Sequence, residues 1–325
     1  MKRLLHRFTY LLLLGVLIVG IVVACSQNNS QNLSDSKQSR EDCHTIQHAL
    51  GETCVSNHVE RLITLNTASL GNAIALGVTP IGSTFDYYQP YPDYLKDKLK
   101  IVENMGDSVQ PNVERITLFE PDLITGWQMH HASIYSQLSN LAPTVLYDWK
   151  GNPSSQHYWK EYFNFMAKVL MKEEAAERVW NQYNQRIEQL KIALGDRYSN
   201  KTISVVIFCC GAMHLSRENS FSGSILSDLG LQRPESQKID SPNIPVSEER
   251  LDSVDGDVMF VMAYKVRDTG EHDFNRIQQK PLWQKLNAVQ QNHVYYVDSS
   301  KWRGKNPFAA AAVIDDLYKY LVDTP

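Results

Sequence analysis

Between Trp159 and Leu194 runs a stretch of about 35 residues in which apolar side chains return every three or four positions, with no glycine or proline. Tyr162, Phe163, Met166, Val169, Leu170, Ala175, Val179, Trp180, Tyr183, Ile187, Leu190 and Ile192 make the stripe. Helix sustains such a period, and at 1.5 Å per residue the segment approaches about 50 Å. Lys172-Glu173-Glu174 is the point at which two helices would divide. The rest of the chain must build around this stiff spine.

On both sides of it, short apolar runs alternate with helical patterns. Before it, the predicted strands are Arg61–Leu65, Thr79–Ser83, Pro121–Trp127 and Pro143–Tyr147, and the predicted helices Ala68–Gly77, Val113–Glu120 and His131–Leu138. After it come strands Thr202–Phe208, Val258–Met262 and Val294–Val297, and helices Phe221–Leu229, Arg250–Val254 and Pro307–Val322. Alternation of this kind predicts an α/β fold: two Rossmann-like lobes of parallel sheet flanked by helices and joined by a long backbone helix. The expected divisions are residues 43–155, 156–196 and 197–325.

The two halves share a local signature. Glu114-Arg115-Ile116 is followed, eight residues after the glutamate, by Asp122 and an apolar run; Glu249-Arg250-Leu251 is followed at the same distance by Asp257 and another. Each glutamate falls near a helix start, where a carboxylate is favoured by unpaired N–H groups. Capping alone is one reading. The other is a pair of exposed acidic knobs, one per lobe, placed to meet basic pockets on a two-fold partner.

The N-terminus reads as an export signal over residues 1–24: Lys2, Arg3 and Arg7, then an apolar run ending Val22-Val23-Ala24-Cys25. Those four residues resemble the bacterial lipoprotein box, which implies acylation of Cys25; an uncleaved span of about 17 residues is the alternative. Residues 25–42 are almost wholly polar and predict a flexible, lipidated tether. An oxidising location makes Cys43 and Cys54 a plausible bridge, with a zinc site that adds His44 and His48 as the weaker reading. Cys209 and Cys210 are expected as free thiols at the end of a strand. The net charge of −4, without basic blocks, argues against nucleic acid as a partner.

RLITLNTASLGNAIALGVTPIGS, ENMGDSVQPNVERITLFEPDLITGW, FSGSILSDLGL followed by SEERLDSVDGDVMFV, and PLWQKLNAVQQNHVYYVD together resemble substrate-binding lipoproteins of iron-siderophore ABC importers. This is the helical-backbone class (class III) of periplasmic binding proteins, which also includes vitamin B12 and haem carriers. The resemblance spans roughly Glu60 to Val322. It implies a ligand held between lobes that close only slightly, and docking of Glu114 and Glu249 on arginines of the permease. It also implies an ATPase partner, a monomer, an extracytoplasmic place on a bacterial membrane, and a ferric siderophore as cargo without any catalytic cofactor. No nucleophile elbow, H-E-x-x-H motif or phosphate loop is present in the sequence.

Ligands of open parallel sheets sit beyond the carboxyl ends of strands. That rule selects Ser83, Tyr87, Tyr88 and Trp127 in the first lobe, and Arg217, Tyr264, Arg267, Trp302 and Arg303 in the second. Arginines with aromatics suit a large anionic chelate. Other readings are a cobalamin or haem carrier, a free-metal carrier using His130-His131 with His214, Asp268 or Glu271, and a surface redox enzyme using Cys209-Cys210.

Overall fold

The computed structural model describes residues 42–86, 91–149, 158–209, 211–238, 245–264 and 269–324. The export signal, Cys25, nearly all of the tether, Tyr87, Tyr88, Arg267, Asp268 and Cys210 lie outside them.

The chain opens with an antiparallel hairpin, β1 (Cys43–His48) and β2 (Gly51–Ser56), clipped by a Cys43–Cys54 disulfide with Cα atoms 5.6 Å apart. The bridge uses both thiols of the weaker zinc reading. Sequence patterning had not separated these strands. The hairpin sits at the outer strand of the first sheet, where Ala49 N–H donates to Leu146 O and Thr53 Oγ1 to Thr144 O. It thereby covers an edge that would otherwise expose unpaired backbone groups.

The first sheet contains β3 (Leu62–Thr64), β4 (Gly82–Phe85), β5 (Glu103–Asp107), β6 (Leu123–Trp127) and β7 (Thr144–Tyr147), in the order β5-β4-β3-β6-β7 and parallel throughout. The second contains β8 (Ile203–Cys209), β9 (Ala212–Leu215), β10 (Pro245–Val246), β11 (Val258–Ala263) and β12 (Val294–Asp298), in the order β10-β9-β8-β11-β12. Here only β8, β11 and β12 are parallel; β9 runs against both of its neighbours, so this sheet is mixed. Continuous apolar runs in β8 and β11 arise because both faces are covered. Val205, Phe260 and Met262 join one core, while Val206, Phe208, Met259 and Val261 join the core on the opposite face.

The repeated aspartates occupy equivalent places. Asp122 Oδ2 accepts from the N–H groups of Glu60 and Arg61 (2.8 and 3.0 Å), just ahead of β3. Asp257 Oδ2 accepts from Thr202 N–H (2.7 Å), just ahead of β8. In each lobe the carboxylate entering one central strand satisfies the amide that opens its parallel neighbour.

The spine is two helices, Tyr158–Val169 and Glu173–Leu194, which divide beside the Lys172-Glu173-Glu174 break that the sequence indicated. The break comes at Met171, whose φ of 53° lies in the left-handed region and cannot continue a helix. The first helix joins the lobes through successive faces: Trp159 is in the second lobe's core, and Tyr162 and Phe163 are in the first lobe's. Its bonds divide the same way. Trp159 Nε1 donates to Ser224 Oγ (2.9 Å) and Lys160 Nζ to Asp228 (2.6 Å), while the Tyr162 hydroxyl bonds Ser69. The lobes also meet directly where helix Thr67–Ala75 packs on Pro307–Leu321. There a Cβ at Gly71 would stand 2.5 Å from Asn306 Cγ, so only glycine permits this approach.

Candidate functional site

Two adjoining cavities, of about 120 and 390 Å³, lie between the lobes and share Trp127, His130, Arg303 and Lys305. The first lobe supplies Trp127 as the last residue of β6, where a strand end delivers a side chain beyond the sheet. Its position is pinned from behind: Trp127 N–H donates to His131 Nδ1 (3.0 Å), so His131 carries its proton on Nε2 and donates to Ser108 O (2.8 Å). Burial holds His131 down at about 4 and keeps it neutral. With both nitrogens committed, His131 has no lone pair for a metal. His130 faces the cleft, its pKa lowered by burial, and its Nδ1 is buried without a protein partner. Trp149 meets the Trp127 ring edge-on at 5.1 Å.

From the second lobe, Asp298 caps helix Ser299–Trp302 by accepting from Ser300 N–H (2.8 Å), and Asn306 caps the last helix by accepting from Ala309 N–H (3.0 Å). Arg303-Gly304-Lys305 is the short link between these two capped helices, which fixes where its cations project. The Arg303 guanidinium lies 4.2 Å from the Tyr264 ring centroid, and Lys305 Nζ lies 5.5 Å from that of Trp127 across the cleft. Arg217 enters the larger cavity just ahead of helix Phe221–Asp228, beside Tyr158 of the spine.

The cleft is electrostatically uneven. Burial, with the Arg303 guanidinium nearby, pushes the Lys305 ammonium down to about 7, and Asp86 acts against that shift. Burial raises the Asp86 carboxyl, opposed chiefly by Lys305. Burial also lifts Tyr158 to about 12. Trp149 Nε1 and Ser222 Oγ line the larger cavity with no protein partner. The wall therefore offers cations, aromatic faces and unused hydrogen-bonding atoms, a surface suited to an oxygen-rich solute.

The periplasmic binding protein family matches residues 62–301 of this sequence. The chain belongs to that family. The Bacillus subtilis probable siderophore-binding lipoprotein YfiY is 32% identical over 324 residues, covering 96% of this chain and 98% of the relative. The Bacillus subtilis Fe(3+)-citrate-binding protein YfmC is 29% identical, covering 90% and 88% respectively. Among solved structures, Staphylococcus aureus SirA complexed with staphyloferrin B aligns with a TM-score of 0.75 at 27% identity, covering 86% of this chain and 98% of that one.

In this periplasmic binding protein, Trp127, Arg217, Tyr264 and Arg303 come together at the cleft, as the strand-end rule expected. Ser83 does not join them. It is fully buried inside β4 and accepts from Thr64 Oγ1 at 2.8 Å. The strand lies about three residues later than its sequence pattern indicated, so the residue past its end is Asp86. Trp302 borders the larger cavity but is otherwise held in the core: it is fully buried, its ring packs on Phe260, and its indole N–H donates to Asp316 (2.9 Å). It supports Arg303 from behind. Sequence reasoning missed Asp86, Trp149, Tyr158 and Lys305 as cleft residues. Lys305 stood in the basic run Lys301–Lys305, whose solvated and cleft-facing members look alike in a sequence.

Proposed function

We propose that this periplasmic binding protein captures a ferric siderophore between its lobes and delivers it to an ABC permease and its ATPase, as a monomer held at the membrane by an acylated Cys25. The observation that carries the reading is the convergence of Arg217, Arg303 and Lys305 with Trp127, Trp149, Tyr158 and Tyr264 on one interlobe cleft. The siderophore named for YfiY, the Fe(3+)-citrate named for YfmC and the staphyloferrin B bound by SirA point the same way. A chelator satisfies the iron itself, so the protein needs only to recognise the outer shell, and no catalytic group is required.

Quenching of tryptophan fluorescence by iron-loaded chelators tests this directly, because Trp127 and Trp149 border the cleft. Submicromolar binding of at least one ferric siderophore is expected, and Arg217→Ala or Arg303→Ala should each raise its Kd about ten- to a hundredfold, the worth of one charge-assisted contact. Tight binding of haem or cobalamin, with every ferric chelate failing, would overturn the cargo.

Docking rests on a second pair. Glu114 lies exposed in the first turn of helix Val113–Leu118, and Glu249 is exposed in the first turn of the 3-10 helix Glu248–Val254. Its neighbour Glu248 is occupied by Arg276 and Lys280. Among the described residues neither Glu114 nor Glu249 has an ion-pair partner. Substituting both by alanine should abolish most iron uptake in cells and leave the ligand Kd within about twofold, since neither residue lines the cleft. A large rise in Kd in solution would remove the docking role.

A further inference from the structure

Among the described cleft cations, Lys305 reaches across to an aromatic ring of the opposite lobe. Its backbone is held in the left-handed region, φ 53°, between two capped helices. From there the ammonium crosses to the Trp127 face, 5.5 Å from the centroid, and borders both cavities. A non-glycine residue in that conformation costs energy, so the position is imposed by its surroundings. Among the described residues its ammonium makes one direct hydrogen bond, a weak one to Arg303 O at 3.3 Å. The contact holding it is thus an aromatic face, which an anion can replace.

The groups facing Lys305 can be named element by element. Asp86 follows β4, His130 stands on the helix after β6, Tyr94 lies on helix Asp93–Lys96, Tyr264 follows β11, and Arg303 is on its own loop. Arg217 shares the larger cavity. Among the described residues lining the cleft, three cations thus meet one carboxylate, and that carboxylate sits at the Lys305 end.

We propose that the cleft selects ferric chelates of net negative charge with carboxylate oxygens at their periphery, and that Lys305 is the charge-reading residue, leaving Trp127 to bind such an oxygen when the ligand enters. This rests on the proposed siderophore-binding function and narrows its substrate class. A neutral ferric trihydroxamate offers nothing that would draw the ammonium off the ring or offset the positive excess.

A pH signature follows. The empty protein holds Lys305 down at about 7, whereas an anion beside the ammonium favours its protonated form. Binding then takes up a proton above pH 7, so affinity falls as pH rises. Between pH 6 and pH 8 the protonated fraction of a group titrating near 7 drops about tenfold, and Kd for an anionic chelate should rise by about that factor.

The test uses ferric citrate and the neutral ferric trihydroxamate ferrichrome as probes. Each is titrated at pH 6, 7 and 8 against the wild-type protein, Lys305→Arg and Lys305→Gln, with thermal melts confirming that the variants fold. For wild type, ferric citrate should bind at least tenfold tighter than ferrichrome and weaken about tenfold by pH 8. Lys305→Arg, charged at every pH used, should bind ferric citrate with a flat profile. Lys305→Gln should be flat and at least tenfold weaker at pH 6. Wild-type affinity and slope in Lys305→Gln, or ferrichrome binding as tightly as ferric citrate, would overturn the proposal while the siderophore-binding function stands. Failure of wild type to bind any ferric chelate would overturn both.

Discussion

Replacing Trp159 by alanine is expected to cost about 3–5 kcal/mol of unfolding free energy, the largest loss from any single truncation in the spine. The ring is fully buried and meets Phe221 at 5.2 Å, Trp180 at 5.4 Å and Tyr183 at 5.6 Å. Its hydrogen bond to Ser224 contributes little to that loss, because Ser224 Oγ also donates to Phe221 O (2.8 Å) and is not left unpaired. The cost is therefore a cavity at the point where the spine enters the second lobe. Tyr158 next to it lines the larger cavity, so ligand affinity should fall as well. Urea unfolding followed by far-UV circular dichroism measures the first effect. A loss below about 1 kcal/mol would mean that the surrounding rings collapse into the space and that the spine is not a rigid strut.

Gly223→Ala should reverse the ordinary sign of a helix substitution. Within a helix, alanine is favoured over glycine by about 1 kcal/mol. At Gly223, in the first turn of helix Phe221–Asp228, a Cβ would lie 2.2 Å from Arg217 O and 2.4 Å from Glu218 O. Both are backbone atoms and cannot rotate aside. The segment must move as a whole, an overpacking cost of about 1–3 kcal/mol beyond the propensity gain. Because it carries Arg217 into the cleft, the ligand Kd should rise at least tenfold as the melting temperature drops by several degrees. A variant more stable than wild type, with unchanged Kd, would show that the loop yields freely and that Arg217 is not held by this contact.

The fold was legible where burial writes a period. β8 and β11 were readable because each is apolar on both faces, and the spine because its stripe returns for nine or so turns. β1, β2, β5 and β9 were not. Their residues, such as Glu103-Asn104-Met105-Gly106 and Gly51-Glu52-Thr53, are half polar and owe strand form to the neighbours they pair with. The site was legible to the same degree. Trp127 and Tyr264 stand at or just past strands whose ends were clear, whereas Ser83 and Asp86 exchanged roles because the Gly82–Phe85 strand begins later than its apolar residues indicate.

By itself the sequence determined the order of elements, the two-lobe α/β plan, the helical link, and the paired Glu-to-Asp segments, all of them consequences of local periodicity and of spacing along the chain. Only the tertiary structure decided that β9 turns back against β8 and which side chains face the cleft. Those outcomes depend on contacts between residues far apart in sequence. Trp302 is kept in the core by Asp316 and Phe260, while Lys305, three residues on, is carried across to Trp127 by the two capped helices that hold its loop.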